Sequence, residues 1–390
     1  MVNSGSRVIA LCLALLCIIG AAPAFAVSET ANKWEKLYKA GNLAVNKGEY
    51  WIAKPTLHEC LDVARTFGPN DIRLAKTLDE LGRYYTIRAT FSIAEPYLEE
   101  ALLVKQRAWG VESDEFIPAL GAMCRFYLLY GTKSKADPVA EEVLFLVGGK
   151  MKEPVWQNKG KVKLKPGEAL DAWAGVADPK RRSPALDWAI VCEDLGYHYR
   201  MQKNYGMSQR FFEAALDVKA MAVGKDHLSL AVAYDYLGSL QMEKEEYTQA
   251  ETNLKDALTI TERILPPESW EVYSRVDKLG RCLVKEKKYK EAEALYRRAQ
   301  HLWDAAPSRY GEEARAKFAL GCLYADARNF SAAAPVLAQA LNMSRRINGP
   351  DSIQVVPYMR KYAYVLYYLG RKSETDNLRG RSDIISGNNQ

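Results

Sequence analysis

Small and large apolar residues recur along most of the chain at a spacing of about 42 residues. The pattern is anchored on glycines that follow a leucine or, in the first case, an alanine. These glycines are Gly41, Gly82, Gly121, Gly196, Gly238, Gly280 and Gly321. A repeat of this length predicts an array of similar units in place of one globular core.

Downstream of six of these glycines the same kinds of residue return at the same offsets. The residue nine positions on is aromatic, that at twelve is small, that at sixteen is large and that at nineteen is small again. The aromatic residues are Tyr50, Phe91, Tyr205, Tyr247, Tyr289 and Phe330. Offsets of twelve, sixteen and nineteen share one face of a helix, because they differ by four and three. Each repeat is therefore predicted to be a helical hairpin whose small residues allow close approach.

This pattern resembles the tetratricopeptide repeat, in the 42-residue variety of kinesin-light-chain-like arrays. The resemblance is carried by Leu237-Gly238 with Tyr247-x-x-Ala250-Glu251, and by the same motif after Leu279-Gly280. It covers about residues 33–146 and 186–380. It implies an all-α, right-handed solenoid of eight hairpins, the last incomplete, that acts as a non-enzymatic scaffold for protein–protein interaction.

Two repeats depart from the pattern. The second helix of the third repeat, near Ala136 to Val147, fits only if about three residues are inserted after Gly121. The last unit has Tyr362-Ala363 in place of Leu-Gly, and a polar second helix that suits a terminal cap. We expect a signal peptide at 1–26, three repeats at 27–146, an insertion at 147–185, four repeats and a partial capping repeat at 186–380, and a disordered tail at 381–390.

The first residues have the order of a secretory signal peptide. Arg7 precedes an apolar run from Val8 to Ile19, and small residues stand at Ala24 and Ala26. The run is shorter than the roughly 20 residues that span a bilayer. We expect cleavage after Ala26 and a secreted or periplasmic protein. An uncleaved anchor remains the alternative, and a lipoprotein is disfavoured because the large Leu16 precedes Cys17.

Cysteine usage and charge narrow the function classes. Five cysteines follow the leader, in no C-x-x-C pair, and we interpret them as buried free thiols, with one disulfide between neighbouring helices as the alternative. They are Cys60, Cys124, Cys192, Cys282 and Cys322. The net charge of +6 is too small to indicate nucleic-acid binding. Four scattered histidines and the absence of catalytic or nucleotide-binding motifs give no support for an enzyme, a metal or a cofactor.

The excess charge lies in the insertion, where residues 147–185 carry nine basic and four acidic residues. Basic and other residues alternate there, with two tryptophans nearby. The candidate contacts are Lys159, Lys161, Lys163, Lys165, Trp156 and Trp173. One interpretation is a surface loop whose tryptophans pack on the solenoid. The other is an envelope adaptor that binds an acidic partner, an anionic glycan or a membrane surface.

The resemblance also implies that the first helix of each hairpin lines a concave groove. Glu193, Asp235 and Asp277, each three residues before its glycine, would form an acidic ladder there, with Asp79 in the same row. Residues one position after the glycine would face the same way, among them Tyr197 and Arg281. Such a groove would favour a peptide with cationic groups through charge-assisted hydrogen bonds.

Pairing within the protein is the alternative explanation of these acids. Asp79 with Arg83, and Asp277 with Arg281, are four residues apart and can pair along one helix. The partner is in either case a protein or peptide of unknown identity, and self-association through the terminal repeats remains open.

Deletion of residues 150–182 separates the two functional interpretations. Binding of the partner is expected to survive the deletion if the groove holds it, and to be abolished if the basic insertion does. The measurement is affinity capture from the organism's exported proteins, with the charge reversal of Glu193, Asp235 and Asp277 as the second arm.

Overall fold

The computed structural model of the chain describes residues 29–130, 133–152, 184–224, 227–267, 269–304 and 310–387. Apart from one short 3₁₀ turn, the regular elements in these ranges are α-helices, paired as hairpins. The chain divides into two compact units, residues 1–147 and 148–390. Each unit is a stack of helical hairpins, so the all-α solenoid class that the repeat predicts is confirmed.

The described residues of unit 1 form three hairpins, and the last helix runs a few residues past the boundary. Its helices are α1 (29–47), α2 (Tyr50–Arg65), α3 (Ile72–Ile87), α4 (Phe91–Trp109), α5 (Phe116–Tyr130) and α6 (Lys133–Met151).

The described residues of unit 2 form five hairpins. Its helices are α7 (Pro184–Met201), α8 (Tyr205–Val223), α9 (Leu228–Glu243), α10 (Tyr247–Ile264), α11 (Trp270–Lys285), α12 (Tyr289–Asp304), α13 (Tyr310–Asp326), α14 (Phe330–Asn348), α15 (Val356–Tyr368) and α16 (Lys372–Gly387).

In six hairpins the aromatic residue nine positions after the glycine begins the second helix. The chain reverses two residues earlier, at a residue with positive φ, a left-handed conformation that side chains other than glycine adopt at a cost. These residues are Gly48, Ala89, Lys203, Glu245, Lys287, Arg328 and Gly370. The turn therefore has one geometry in seven hairpins although its residues differ.

The repeated glycines lie beneath the large residue sixteen positions downstream. A methyl group on Gly238 would stand 2.7 Å from Cγ of Leu254, and one on Gly41 would stand 2.6 Å from Cδ2 of Leu57. Side chains that close would have to move. Because Leu57 and Leu254 are almost fully buried, the glycine fixes how near the two helices of a hairpin approach, as the sequence pattern predicts.

The third hairpin agrees with the proposed three-residue insertion. A proline stands fourteen residues after the glycine in three repeats, at Pro55, Pro96 and Pro335, but seventeen residues after it at Pro138. Ala136 and Val147 are both buried in α6. Helix α5 ends nine residues after its glycine, whereas α3, α7 and α9 end five residues after theirs, so the added residues lengthen the first helix of this hairpin.

Two expectations about the C-terminus are wrong. The eighth hairpin is complete, and α16 continues to Gly387 where a disordered tail at 381–390 was expected. Leu378, Ser382 and Ile385 are spaced four and three apart, and all three are buried in α16. The polar composition of this segment hides that inner face. The leader at 1–26 and most of the insertion lie outside the described residues.

No helix in the described ranges has both the length and the apolar character needed to cross a bilayer.

Substituting Gly238 with alanine is expected to lower the free energy of unfolding by about 1–3 kcal/mol, because the added methyl group overpacks against Leu254. Gly148→Ala in α6 is the control, since nothing lies within 4 Å of its added methyl group. That change should be neutral or stabilising by up to about 1 kcal/mol. Chemical denaturation of both variants checks this, and equal effects would contradict the packing argument.

Candidate binding face

The first helices of successive hairpins in unit 2 form a contiguous row. Helix α9 contacts α11, α11 contacts α13, and α13 contacts α15. We call the solvent side of this row, with that of α7 before it, the first-helix face. All the predicted partner-binding residues of unit 2 lie on this face. Their contacts within the protein decide whether they are available to a partner.

Ion pairs join neighbouring first helices across this face. Lys278 of α11 binds Asp235 of α9. Arg200 of α7 lies 3.4 Å (Nε to Oε1) from Glu243 of α9. Lys361 of α15 lies 2.8 Å (Nζ to Oδ1) from Asp326 of α13, a pair outside the predicted site. The ion pair of Asp235 therefore links two successive repeats.

Glu193 has a buried counter-ion within its own hairpin. Its carboxylate accepts a hydrogen bond from Nζ of Lys219 on α8, and the same Nζ donates to the carbonyl oxygen of Ser229 at 3.3 Å. Lys219 is only 5% exposed. Burial raises the pKa of the Glu193 carboxyl, and the Lys219 ammonium opposes that rise. Glu193 is thus occupied by an internal cation.

Asp79 in unit 1 repeats this arrangement. Nζ of Lys105 lies 2.6 Å from its Oδ2. Lys105 and Lys219 both stand twenty-three residues after their glycine, and Asp79 and Glu193 both stand three residues before it. The predicted pair between Asp79 and Arg83 is wrong, because the Arg83 guanidinium lies 2.9 Å (Nη2 to Oε2) from Glu80.

Asp277 and Arg281 form the pair along one helix that was the alternative to ligand binding, with Nε 3.1 Å from Oδ2. Burial raises the pKa of the Asp277 carboxyl, and the Arg281 guanidinium opposes that rise. Each carboxylate of the predicted acidic ladder therefore already holds a cation. Two of these pairs, Asp79 with Lys105 and Glu193 with Lys219, join an acid to a lysine twenty-six residues downstream. This common spacing is the signal by which the sequence could have shown them.

Exposed side chains of the face remain available to a partner. Tyr197 is 43% exposed and Met201 is 62% exposed, one turn apart on α7. The Arg200 guanidinium lies 5.7 Å from the centroid of the Tyr197 ring. Arg281 also projects into solvent. Met201 was not predicted from the sequence, although it lies four residues after Tyr197 and five after Gly196.

The five cysteines among the described residues are free thiols, as the sequence predicts. Four are buried and Cys322 is partly buried. Burial raises the pKa of the Cys60 thiol to about 11 and of the Cys192, Cys282 and Cys322 thiols to about 12. These thiols are poor nucleophiles near neutral pH because the thiolate is the reactive form.

Within the described residues, no group of three or more histidine, cysteine or acidic side chains is placed to hold a metal ion. The candidate contacts of the insertion, from Trp156 through Lys165 to Trp173, lie outside the described residues, so their role stays a prediction.

Comparison with known proteins agrees with this class of fold. Two tetratricopeptide-repeat family models match the chain, one at residues 189–263 and the other at 74–114 and 319–354. The chain therefore contains tetratricopeptide repeats, and proteins of this kind generally act as scaffolds for other proteins. No curated protein matches the chain.

Solved structures with similar folds share little sequence identity with the chain. A putative kinesin light chain with nearly identical repeats from Podospora anserina is 15% identical, with a TM-score of 0.45, over 51% of this chain and 95% of that one. BtubC from P. vanneervenii is 17% identical, with a TM-score of 0.43, over 71% and 91%. YrrB, described as having an unusual peptide-binding site, is 16% identical, with a TM-score of 0.34, over 57% and 93%.

The substitution Glu193→Gln is expected to lower the free energy of unfolding of unit 2 by about 3 kcal/mol, because it leaves the buried Lys219 ammonium without a counter-charge. Glu374→Gln is the control. It breaks an exposed pair with Arg371, 2.7 Å between Nε and Oε1, and should have little effect. Urea denaturation compares the two, and equal losses would show that Lys219 reaches water.

Proposed function

We propose that the protein is a non-enzymatic scaffold that holds an extended segment of a partner protein along the first-helix face of unit 2. The observation that carries the proposal is the pairing of a contiguous row of first helices with exposed contact groups at Tyr197, Met201 and Arg281. Aromatic residues, methionine and arginine are enriched at protein interfaces, whereas lysine and acidic residues are depleted there.

Rigidity supports the same function. Ion pairs between successive hairpins, such as Asp235 with Lys278, hold the contact groups at set spacings. A preorganised face loses less entropy on binding than a mobile one. A row of fixed positions suits an extended chain, which presents its side chains at regular intervals.

The internal ion pairs change one part of the sequence prediction, the positive charge expected of the partner segment. A cationic peptide would have to compete with Lys219, Lys278 and Arg281 for the carboxylates of Glu193, Asp235 and Asp277. We therefore assign recognition to the exposed groups, and the charge of the segment becomes a result of the experiment. Export after cleavage at Ala26 stays part of the proposal, and N-terminal sequencing of the recovered protein checks it.

The test begins with selection of binding peptides from a displayed random library, with the full chain as bait. The double variant Tyr197→Ala, Met201→Ala should weaken binding of the selected peptides about ten-fold or more, as loss of central contact residues does. Isothermal titration measures the affinities. The fold should be unaffected, because both side chains are exposed.

The matched control is the double variant Ile347→Ala, Ile384→Ala, which removes two exposed apolar side chains from the second helices α14 and α16. It should leave binding unchanged. Equal losses in both variants, or no loss in the first, would remove the first-helix face from the account. Binding that disappears only when residues 150–182 are deleted would assign the function to the insertion.

A further inference from the structure

The turn between α15 and α16 exposes aromatic and basic residues together. Eight consecutive residues, 367–374, are exposed. Tyr367 is 53% exposed, Tyr368 is 55% and Leu369 is 39%, and Tyr364 of the preceding helical turn is 41% exposed. We call these four side chains the tyrosine tip.

Other hairpins place different residues at this point of the turn. Tyr367, Tyr368 and Leu369 stand four, five and six residues after Ala363, which occupies the glycine position of the last repeat. The equivalent triplets are Val45-Asn46-Lys47, Thr86-Ile87-Arg88, Arg200-Met201-Gln202, Met242-Glu243-Lys244, Val284-Lys285-Glu286 and Ala325-Asp326-Ala327. None is wholly apolar or aromatic like that of the last hairpin. The shared turn geometry therefore does not require the tyrosines.

The rings of the tip are held in place by one another. Phe330 stacks on Tyr368 with centroids 4.6 Å apart, and Tyr368 lies 4.9 Å from Tyr364 and 5.5 Å from Tyr367. At the next aromatic position of the repeat, nine residues after Ala363, stands Lys372. Among the described residues, no helix follows α16 to cover these rings.

Basic residues surround the tip. Residues 360–381 include six basic residues, and four of these form ion pairs: Arg360 with Asp383, Lys361 with Asp326, Arg371 with Glu374 and Arg381 with Asp351. The Arg379 guanidinium lies 5.3 Å from the centroid of the Tyr367 ring, and the Lys361 ammonium lies 5.5 Å from that of Tyr364. Lys372 and Arg379 are exposed. A symmetric contact with a second copy would bring these cations together, so a partner of opposite charge fits better.

We propose that the tyrosine tip and its basic rim bind the surface of an anionic lipid membrane. Tyrosine favours the interface between headgroups and hydrocarbon, where its ring is apolar and its hydroxyl is wet. Leu369 at the point of the turn enters the hydrocarbon edge. The rim attracts anionic headgroups, an effect confined to about a Debye length. This contact is peripheral and independent of the proposed peptide site, since it uses neither Tyr197 nor Met201.

Binding to vesicles tests the proposal. The full chain and the chain from residue 27 onward are floated with vesicles of phosphatidylcholine alone or of phosphatidylcholine with phosphatidylserine. Both are used because the apolar run at 8–19 itself has affinity for lipid, and variants are compared within each. The protein should bind the phosphatidylserine vesicles, and added salt should weaken the binding.

The variant Tyr367→Ser, Tyr368→Ser, Leu369→Ser should lose about ten-fold or more in partitioning, since three interfacial side chains are removed. Lys372→Gln and Arg379→Gln should each cost about five-fold. Met201→Ser is the matched control, because Met201 is 62% exposed at the equivalent turn of another hairpin. It should bind as the unchanged chain does, and circular dichroism confirms that every variant is folded.

Depth at the membrane provides a second measurement. Leu369→Cys adds an exposed thiol to a chain in which burial raises the pKa of the Cys60, Cys192, Cys282 and Cys322 thiols to about 11 or 12. An environment-sensitive label on residue 369 should shift to the blue with phosphatidylserine vesicles, whereas a label at Met201→Cys should not.

Several results would overturn the proposal. They are an absence of vesicle binding, equal loss in the Met201 control, or loss on deletion of residues 150–182 without loss in the tip variants. Binding of a soluble acidic peptide or an anionic glycan at the tip, with no affinity for vesicles, would likewise show that the basic rim serves a different partner.

Discussion

The contact between a glycine on the first helix and a large side chain sixteen residues later is the constraint on which the other features depend. Where the two helices meet at Gly238 and Leu254, no space remains for a methyl group. The close approach fixes the separation of the helices, and the small residues beside the contact let it continue along the hairpin. A fixed separation in turn requires a turn of fixed length, which explains why the left-handed residue and the first aromatic residue keep their offsets in hairpins of different sequence.

The carboxylates of the acidic ladder form ion pairs within the stack of hairpins. In an isolated first helix the side chains of Glu193 and Asp79 would be in water. In the hairpin each of them contacts a lysine of the second helix. A carboxylate that is partly withdrawn from water needs a counter-ion and hydrogen bonds, and nearby lysines supply both. Because these carboxylates are paired with cations of the protein, the surface at the acidic ladder is less negative than its acidic residues alone would make it.

Sequence reasoning succeeded where spacing alone decides the structure. Glycine, aromatic and small positions recur at constant offsets, so the hairpins and the three-residue insertion before α6 followed from counting. It failed for Asp79, because the lysine twenty-six residues away is a neighbour only after the hairpin closes. It failed for α16 because only Leu378, Ile384 and Ile385 in that segment are strongly apolar, and its buried Thr375 and Ser382 look like exposed residues in a linear sequence.

The positions that the repeat leaves free are where function is best sought. The glycine, the aromatic residue at the start of the second helix and the residue sixteen positions on are committed to packing, and changing them would unfold a hairpin before it altered binding. The positions one and five residues after the glycine, which hold Tyr197 and Met201, have no such commitment. Neither does the turn that holds Tyr367, Tyr368 and Leu369, since other hairpins make the same turn with polar residues. Exposed apolar groups at unconstrained positions have no explanation in folding, and water is a poor solvent for them. Both proposed contacts are therefore placed where several such groups lie together.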